Sequence, residues 1–186
     1  LSFILHLNMG CLDCSPLTDG AAAVVLTTKK AKSGVFVRGF GHGMDTLELA
    51  QRESLTSFSS TKRAVAQALK MCKTPLSQVE VVELHDCFTI AEILAMEDLG
   101  FCKKGMGGKY VTSLCTKLGG KCPVNTSGGL KACGHPVGAT GVKQIVEITQ
   151  QLRKTAGARQ VDGANCGLTQ NVGGTGATVV VHVLQT

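Results

Sequence analysis

The chain of 186 residues contains no tryptophan, one tyrosine and six phenylalanines. This scarcity of aromatic side chains argues against a nucleic-acid surface built on base stacking. The net charge of +6 comes from lysines and arginines that are spread along the chain, in runs of no more than two. Basic residues so dispersed suit an anionic small molecule at least as well as a nucleic acid. We therefore expect no nucleic acid among the partners.

A long apolar run and a basic leader are also missing. The opening segment LSFILHLNMG is apolar, but it lacks a basic start and is too short to span a bilayer. Hydrophobic residues make up 44% of the chain and charged residues 17%, a balance that favours a packed core over disorder. We expect a folded domain without a membrane span in an intracellular compartment, the cytoplasm in preference to an organelle matrix such as the peroxisome.

The nine cysteines are an odd number, which does not suggest a set of paired disulfides. Cys11 and Cys14 have the spacing of half a zinc or redox site, but no second pair at suitable spacing completes it. Most cysteines lie beside strand or helix patterns, where a reduced thiol packs as a small apolar side chain. We predict reduced cysteines and no metal site.

Apolar periodicity predicts one α/β domain over residues 1–186. The predicted strands are Ala21–Thr28, Val35–Gly43, Val79–Leu84, Val161–Cys166 and Ala177–Leu184. The predicted helices are Ser59–Cys72, Thr89–Leu99 ended by Gly100, and a longest helix at about Gly138–Ala156 with Gly157 as its C-cap. The apolar side of this last helix is expected to comprise Val142, Ile145, Val146, Ile148, Thr149 and Leu152.

The segment ELHDCFT places His85, Asp86 and Cys87 where a predicted strand gives way to a helix. Ligands of α/β proteins commonly bind at the carboxyl ends of strands. The start of a helix also favours a thiolate or a bound anion. The alternative is a polar cap at the strand end beside a buried cysteine, and the local sequence leaves both interpretations open.

The segment SGGLKACGHPVGATG holds five glycines and one histidine, His135. Pro136 rigidifies the turn, while Gly134 and Gly138 let the loop fold tightly. A histidine held in this way suits proton transfer near neutral pH. A histidine that caps a helix would have a similar local sequence.

The segment NCGLTQNVGGTG, residues 165–176, is rich in asparagine and glycine and lies between two predicted strands. Its backbone N–H groups could form an oxyanion hole. The alternative is a hairpin whose turn needs positive φ angles.

In this order and at this spacing, HDCF, SGGLKACGHPVGATG and QNVGGTGATVVVHVL resemble the C-terminal half of a thiolase of the sterol-carrier-protein type and its prokaryotic relatives. The resemblance covers nearly the whole chain. It implies a βαβαβαββ half, with a mixed sheet of about five strands and helices on both faces. It also implies thiolysis of 3-ketoacyl-CoA or the reverse Claisen condensation, coenzyme A as a substrate without any further cofactor, and a homodimer.

The resemblance assigns catalytic roles to four residues. His135 would activate the nucleophilic cysteine and help to bind the thioester oxygen. His85 would replace the asparagine that holds a water in the first oxyanion hole. Cys87 would replace the second acid/base cysteine, which is missing here because Asn171-Val172-Gly173 occupies its place. Gly173 would still lend a backbone N–H to an oxyanion hole.

The glycines of the Gly-His-Pro segment would admit the pantetheine arm and thioester against bare backbone. The resemblance therefore makes Ser127, Gly128, Gly129 and Asn171 candidate substrate-binding residues. Since the α-proton of a thioester is weakly acidic, such a site needs aimed donors for the enolate and a base of suitable pKa. A thiol can serve as this base if a neighbouring histidine or a helix N-terminus lowers its pKa.

The acylated nucleophile of the family is a cysteine in an N-terminal half, to which no part of this sequence corresponds. We expect a fragment of a longer enzyme, a chain that works with a separate half, or a catalytically incomplete acyl-CoA-binding or scaffold subunit. The stretch KKAKSGV between the first two strands also suggests a shortened helix. A Cys-His hydrolase that pairs Cys87 or Cys133 with His135 is a weaker alternative, since no hydrolase signature surrounds either cysteine.

Overall fold

A computed structural model describes residues 9–29 and 34–186. Its strands are β1 (Phe36–Met44), β2 (Val81–Leu84), β3 (Cys166–Gly173) and β4 (Thr178–Gln185). Its α-helices are α1 (Ser59–Cys72), α2 (Thr89–Leu99), α3 (Gly107–Thr112), α4 (Gly129–Cys133) and α5 (Thr140–Leu152). The opening segment up to residue 8 and the centre of KKAKSGV, where a shortened helix is expected, lie outside the described residues.

The strands form one mixed sheet in the order β1-β4-β3-β2. β2 runs parallel to β3, whereas β4 is antiparallel to both β3 and β1. Beyond β2, Val124 pairs with Val82 in an isolated parallel bridge. The described residues thus form four strands and one further bridge where about five strands are predicted, and the α/β class with a mixed sheet is confirmed.

Helix α1 packs closely against β1 because three glycines of β1 face it. A Cβ atom added to Gly41 would lie 1.9 Å from the carbonyl oxygen of Ala64, and the same holds for Gly43 against Ser60. Only residues without a side chain allow the helix backbone to come this near to the strand. The bounds of α1 match the prediction, and Ala64 and Ala68 are fully buried as expected.

Apolar side chains cover both faces of the sheet. One cluster joins α1 and α2 to the sheet through Ala68, Met96, Leu84, Leu168 and Val181. A smaller cluster joins α5 to the other face through Ile148, Leu152, Val81 and Leu184. Helices therefore lie on both faces, which confirms that prediction, and Gly100 ends α2 with φ +95° as expected.

The strand predicted at Ala21–Thr28 is wrong. Residues 21–28 have no strand assignment, and Val25 is 94% exposed. The β propensity of such a run is realised only through pairing with a neighbouring strand. Among the described residues no strand pairs with residues 21–28, and β1 pairs with β4 alone.

The prediction for the last strands is right for β4 but misplaces β3. β3 begins at Cys166, where the predicted strand ends, and continues to Gly173. Residues 167–170 pair on both sides, with β2 and with β4, while Asn171, Val172 and Gly173 continue the ladder with β4 alone. The asparagine and glycines of this stretch favour a loop, but backbone pairing outweighs their low strand propensity.

The prediction for α5 is correct in its existence, wrong in its length and partly right in its buried face, where Ile148 and Leu152 are buried as expected. α5 has 13 residues against 14 in α1, and it ends at Leu152, so Gly157 is not its C-cap. Its buried face includes Gln144, Glu147 and Gln151. The predicted apolar residues Val142, Ile145, Val146 and Thr149 are only partly buried.

These buried polar groups of α5 have partners from distant parts of the chain. The Gln144 amide donates to the Gln170 carbonyl at 3.0 Å. Arg159 binds the Glu147 carboxylate through two nitrogens. Hydrogen bonding makes the burial of these groups tolerable, which apolar periodicity alone does not anticipate. In the described part of the chain, no helix combines the length and apolar character that crossing a membrane requires.

Candidate active site

The two histidines of the HDCF and Gly-His-Pro segments meet in the folded domain. His85 directly follows β2 and is 7% exposed. His135 follows α4 and is anchored by its backbone N–H, which donates to the Pro16 carbonyl at 2.9 Å. The ring centroids lie 4.9 Å apart at an interplanar angle of 84°, an edge-to-face contact. Two histidines that are 50 positions apart in the sequence therefore lie in one site.

Both imidazoles are uncharged near neutral pH. Burial, and to a lesser extent the neighbouring His135, lowers the pKa of His85 to about 4. Burial also lowers the pKa of His135, an effect that the nearby Asp86 carboxylate partly offsets. A neutral imidazole carries one N–H donor and one free acceptor nitrogen. The pair can therefore offer both kinds of group to a ligand.

The hydrogen bonds of the two rings favour one tautomer each. The Asn171 side-chain nitrogen lies 3.3 Å from Nδ1 of His85, so this Nδ1 accepts and the proton lies on Nε2. Nδ1 of His135 lies 2.8 Å from the hydroxyl of Thr140, which donates in turn to the Pro136 carbonyl. His135 then carries its proton on Nδ1, which leaves its Nε2 free to act as a base.

Cys87 lies between His85 and α2, and its carbonyl accepts a hydrogen bond from the Ser15 backbone at 3.0 Å. Burial raises the pKa of its thiol; a backbone hydrogen bond at Phe88 opposes this rise, and the nearby Asp86 carboxylate adds to it. The lowered pKa that a thiol base requires is therefore not found here, because burial outweighs the start of α2. Among the hydrogen bonds of the described residues, none joins Cys87 to His135.

The glycines of the SGG turn make room for the protein itself. Gly129 has φ +63°, and a Cβ atom there would lie 2.0 Å from an oxygen of the Asp86 carboxylate. At Gly134, with φ +80°, it would lie 2.5 Å from the side chain of Thr18. Close approach thus explains these glycines without a ligand. Substrate binding by Ser127, Gly128 and Gly129 stays a prediction.

Two predicted residues lie on β3 and its hairpin. The Asn171 side chain holds His85 and packs against Gly141 at the start of α5. Gly173 begins the hairpin turn, where its carbonyl accepts the Gly176 N–H, and the turn residues Gly174 and Gly176 have positive φ angles. The hairpin interpretation is thereby confirmed, and the oxyanion-hole role of Gly173 stays a prediction.

The structure also places the other cysteines that the sequence singled out. Cys11 is exposed and Cys14 is partly buried. Within residues 9–29 and 34–186, no three side chains of the types His, Cys, Asp or Glu come together as a metal site would require. The thiol of Cys133, the other candidate for a Cys-His hydrolase, donates to the Ser127 carbonyl at 3.0 Å.

Sequence reasoning missed a buried group of charges beside the two histidines. The side chain of Glu83 on β2 is 1% exposed, and Lys143 of α5 lies 3.9 Å from it. Burial raises the pKa of Glu83 to about 7 against the lowering effects of Ser127 and Lys143. The signal in the sequence is a glutamate inside the otherwise apolar stretch VVEL.

Comparison with known proteins agrees with this geometry. The family described as "Thiolase C-terminal domain-like" matches residues 41–186. An acetyl-CoA acetyltransferase of Methanothermobacter thermautotrophicus is 47% identical over 177 residues, which cover 92% of this chain and 46% of that protein. Sterol carrier protein 2 of Oryctolagus cuniculus is 39% identical over 184 residues, 91% of this chain and 33% of that protein. The chain thus spans half or less of the length of these relatives.

Two solved structures share the fold. The Ltp2-ChsH2(DUF35) aldolase has a TM-score of 0.72 at 23% identity, over 82% of this chain and 39% of that one. A monomeric SCP2-thiolase like protein from Mycobacterium smegmatis has a TM-score of 0.61 at 18% identity, over 81% of this chain and 29% of that one. With the family match over most of its length and the paired histidines in place, this chain belongs to the thiolase family, where it corresponds to the C-terminal domain.

Proposed function

We propose that this chain supplies the C-terminal half of the active site of an acyl-CoA C-acyltransferase. The complete enzyme would cleave 3-ketoacyl-CoA by thiolysis or join two acyl-CoA units by Claisen condensation. The observation that carries the proposal is the edge-to-face contact of His85 with His135, with centroids 4.9 Å apart. Acyl transfer to or from carbon needs a base and an aimed donor in one place, and these two neutral rings can provide both.

Each side chain then has a defined part in the reaction. Nε2 of His135 takes the proton of the nucleophilic thiol, which another half of the enzyme supplies, and the thiolate attacks the keto carbon. Nε2–H of His85 donates to the oxygen on which negative charge develops. The raised pKa of Cys87 keeps its thiol protonated at neutral pH. This thiol can give its proton to the enolate of acetyl-CoA released by thiolysis, and incoming coenzyme A restores it.

The missing half is proposed to dock on the exposed apolar side of β1. Phe40 is 54% exposed and Met44 is 61% exposed on the face that α1 does not cover. An apolar surface of this kind commonly marks an interaction site. Coenzyme A would enter as a substrate, without a cofactor or metal. A homodimer and an intracellular location, cytoplasmic in preference to peroxisomal, complete the proposal.

The second candidate is a catalytically incomplete acyl-CoA-binding or scaffold subunit. It is favoured by the raised pKa of Cys87, which makes the thiol a poor base, and by the absence of a hydrogen bond between Cys87 and His135 among the described residues. A scaffold would bind acyl-CoA without turning it over. The two candidates therefore differ in a single assay, thiolysis of acetoacetyl-CoA by the natural full-length protein.

The test uses three variants of the full-length protein and mass spectrometry of the acyl-enzyme. His135→Ala is expected to suppress acylation. Cys87→Ala is expected to spare acylation and to block cleavage or formation of the carbon–carbon bond. Cys133→Ala, an exposed thiol, serves as the control and should leave both steps unchanged. Equal loss of both steps in Cys87→Ala would reject the assignment of Cys87 as the second acid/base. If the wild-type protein shows no thiolysis, the acyl-CoA-binding or scaffold subunit is the remaining candidate.

A further inference from the structure

Three acidic side chains of one segment hold the loop that leads to His135. They are Glu83 at the end of β2, Asp86 in the following turn and Glu92 on α2, and we call them the carboxyl clamp. Glu83 accepts the backbone N–H and the hydroxyl of Ser127 at 3.1 and 2.7 Å. Asp86 accepts the N–H of Leu130 at 2.9 Å, and Glu92 accepts the side-chain amide of Asn125 at 3.4 Å. The clamp therefore contacts the loop at its start, its middle and its end.

The hydroxyl of Ser127 uses all of its hydrogen-bonding capacity within the protein. It donates to Glu83, and it accepts from Lys143 at 2.8 Å and from the N–H of Gly129 at 3.2 Å. A serine hydroxyl has one donor and two lone pairs, so none is left for a ligand. Because its single proton goes to Glu83, this carboxylate fixes the direction of the other two bonds.

The charge on Glu83 is weakly compensated. Lys143 is its one ion-pair partner in the described structure, at 3.9 Å. Glu147, on the same helix as Lys143, raises the pKa of Glu83. Glu92 of α2 is a second negative charge close to Glu83, and Arg159 is close enough for a Coulombic interaction with it. Burial dominates, and the pKa of about 7 lets the carboxyl change its protonation state around neutral pH.

Protonation would break the arrangement around Ser127. An ionised carboxylate accepts hydrogen bonds at both oxygens, whereas a protonated one turns one oxygen into a donor. The two bonds from Ser127 need both Glu83 oxygens as acceptors, since the backbone N–H reaches Oε1 and the hydroxyl reaches Oε2. In the neutral acid only the carbonyl oxygen remains a strong acceptor, so one of these two bonds is weakened or has to reverse its direction.

We propose that Glu83 is a positioning residue of the active site: when ionised it holds the Ser127–Gly129 turn in the conformation described above, and when protonated it releases this turn. The inference rests on the proposed function for its consequence, because this turn leads through α4 to His135. The holding of the turn by Glu83 is argued only from the hydrogen bonds of the carboxyl clamp. Release of the turn would weaken acyl-CoA binding and misplace the His135 base.

The first measurement does not depend on activity. Amide hydrogen exchange of Ser127 and Gly129 is followed between pH 6 and 8 in the full-length protein and corrected for the intrinsic pH dependence of exchange. We expect protection to fall at least tenfold at pH 6, and Glu83→Gln to have low protection throughout. Unchanged protection between pH 6 and 8 in the wild type would overturn the proposal.

The second measurement is the pH profile of kcat/KM for acetoacetyl-CoA thiolysis. We expect the wild type to lose activity below about pH 7, with KM rising more than kcat falls, and Glu83→Gln to lack this inflection. Lys143→Met removes a group that lowers the pKa of Glu83, so it should move the inflection upward, and Lys143→Arg should restore it. A profile that is the same in all four proteins would contradict the positioning role.

The matched control is Glu80→Gln. Glu80 lies just before β2, and its carboxylate accepts the N–H groups of Asn165 and Cys166 at the opposite end of the strand. This variant should keep the wild-type exchange and pH profile. If Glu83→Gln does not fold, the upward shift in Lys143→Met decides the question. A wild type without thiolysis would reject the proposed function, while the exchange data would still decide the role of Glu83.

Discussion

The side-chain amide of Asn171 lies 3.3 Å from Nδ1 of His85, so that a residue of β3 holds the imidazole that meets His135. Asn171→Ala removes the donor that keeps Nδ1 unprotonated and frees the ring to change tautomer. We expect kcat for thiolysis to fall about tenfold, equivalent to about 1.4 kcal/mol of transition-state stabilisation. Asn165→Ala, an exposed position just before β3, is the control. Equal kinetics in the two variants would contradict this role of Asn171.

Gly129→Ala is expected to destabilise the protein by at least about 2 kcal/mol. The alanine would adopt an unfavourable positive φ, and its Cβ would lie 2.0 Å from an Asp86 oxygen. Gly105→Ala is the matched control, because Gly105 has φ +79° with no atom within 4 Å of an added Cβ. Urea unfolding measures both. The difference between the variants isolates the contact with Asp86, and equal losses would deny its importance.

The pH dependence of stability should reveal the buried carboxyl of Glu92. Burial, and then the neighbouring Asp86, raises its pKa from 4.5 to about 7. Between these two pH values the folded state keeps a proton that the unfolded state has lost, so the free energy of unfolding falls as the pH rises. His85 acts oppositely, because its lowered pKa costs stability as the pH falls from 6.5 towards 4. Only a comparison of variants separates the two effects.

Glu92→Gln is neutral at every pH and removes the first of these effects. Relative to wild type, it should gain up to about 3 kcal/mol between pH 5 and pH 8, the value of a shift from 4.5 to about 7. The measurement is the urea midpoint at both pH values. The exposed Glu53 provides the control Glu53→Gln, whose difference from wild type should be the same at both pH values. If Glu92→Gln also differs from wild type by the same amount at both pH values, the raised pKa of Glu92 is refuted.

Cys87 should react slowly with iodoacetamide at pH 7. Its raised pKa leaves little thiolate, which is the reactive form, and the side chain is partly buried. Cys11 and Cys133 are exposed and should be alkylated at least tenfold faster. Mass spectrometry of the peptides after short exposure compares the three rates. Preferential alkylation of Cys87 would indicate an activated thiol and would contradict its raised pKa.

Local patterns in the sequence predict much of the fold. The bounds of α1 match residue for residue because its apolar spacing lies within the segment itself, although its N-cap is Phe58 and no side chain caps it. The buried face of α5 could not be predicted in this way. Gln144 and Glu147 are buried because Gln170 and Arg159, from other segments, supply their partners. Periodicity detects apolar residues, whereas the burial of a polar group depends on hydrogen-bond partners that other segments supply in the folded protein.

The same distinction applies to the site. His85, His135 and Cys87 stand at element ends and could be singled out from the sequence, but spacing alone does not bring the first two together. The pKa of Cys87 is raised by burial, which is a property of the whole fold and not of the local sequence. The bonds of Glu83 to Ser127 span 44 positions, so no local pattern contains them. A lone glutamate inside a buried strand is the one local sign of such a network.

Two neutral imidazoles in one site, with a proton on Nε2 of His85 and a free Nε2 on His135, should titrate differently from two independent histidines. A ¹⁵N NMR titration of the histidine side chains in the full-length protein measures this difference. We expect His85 to stay neutral down to about pH 4 in the Nε2–H form, and His135 to titrate below its ordinary pKa in the Nδ1–H form. Titration of both rings near pH 6.5, without mutual influence, would contradict this pairing.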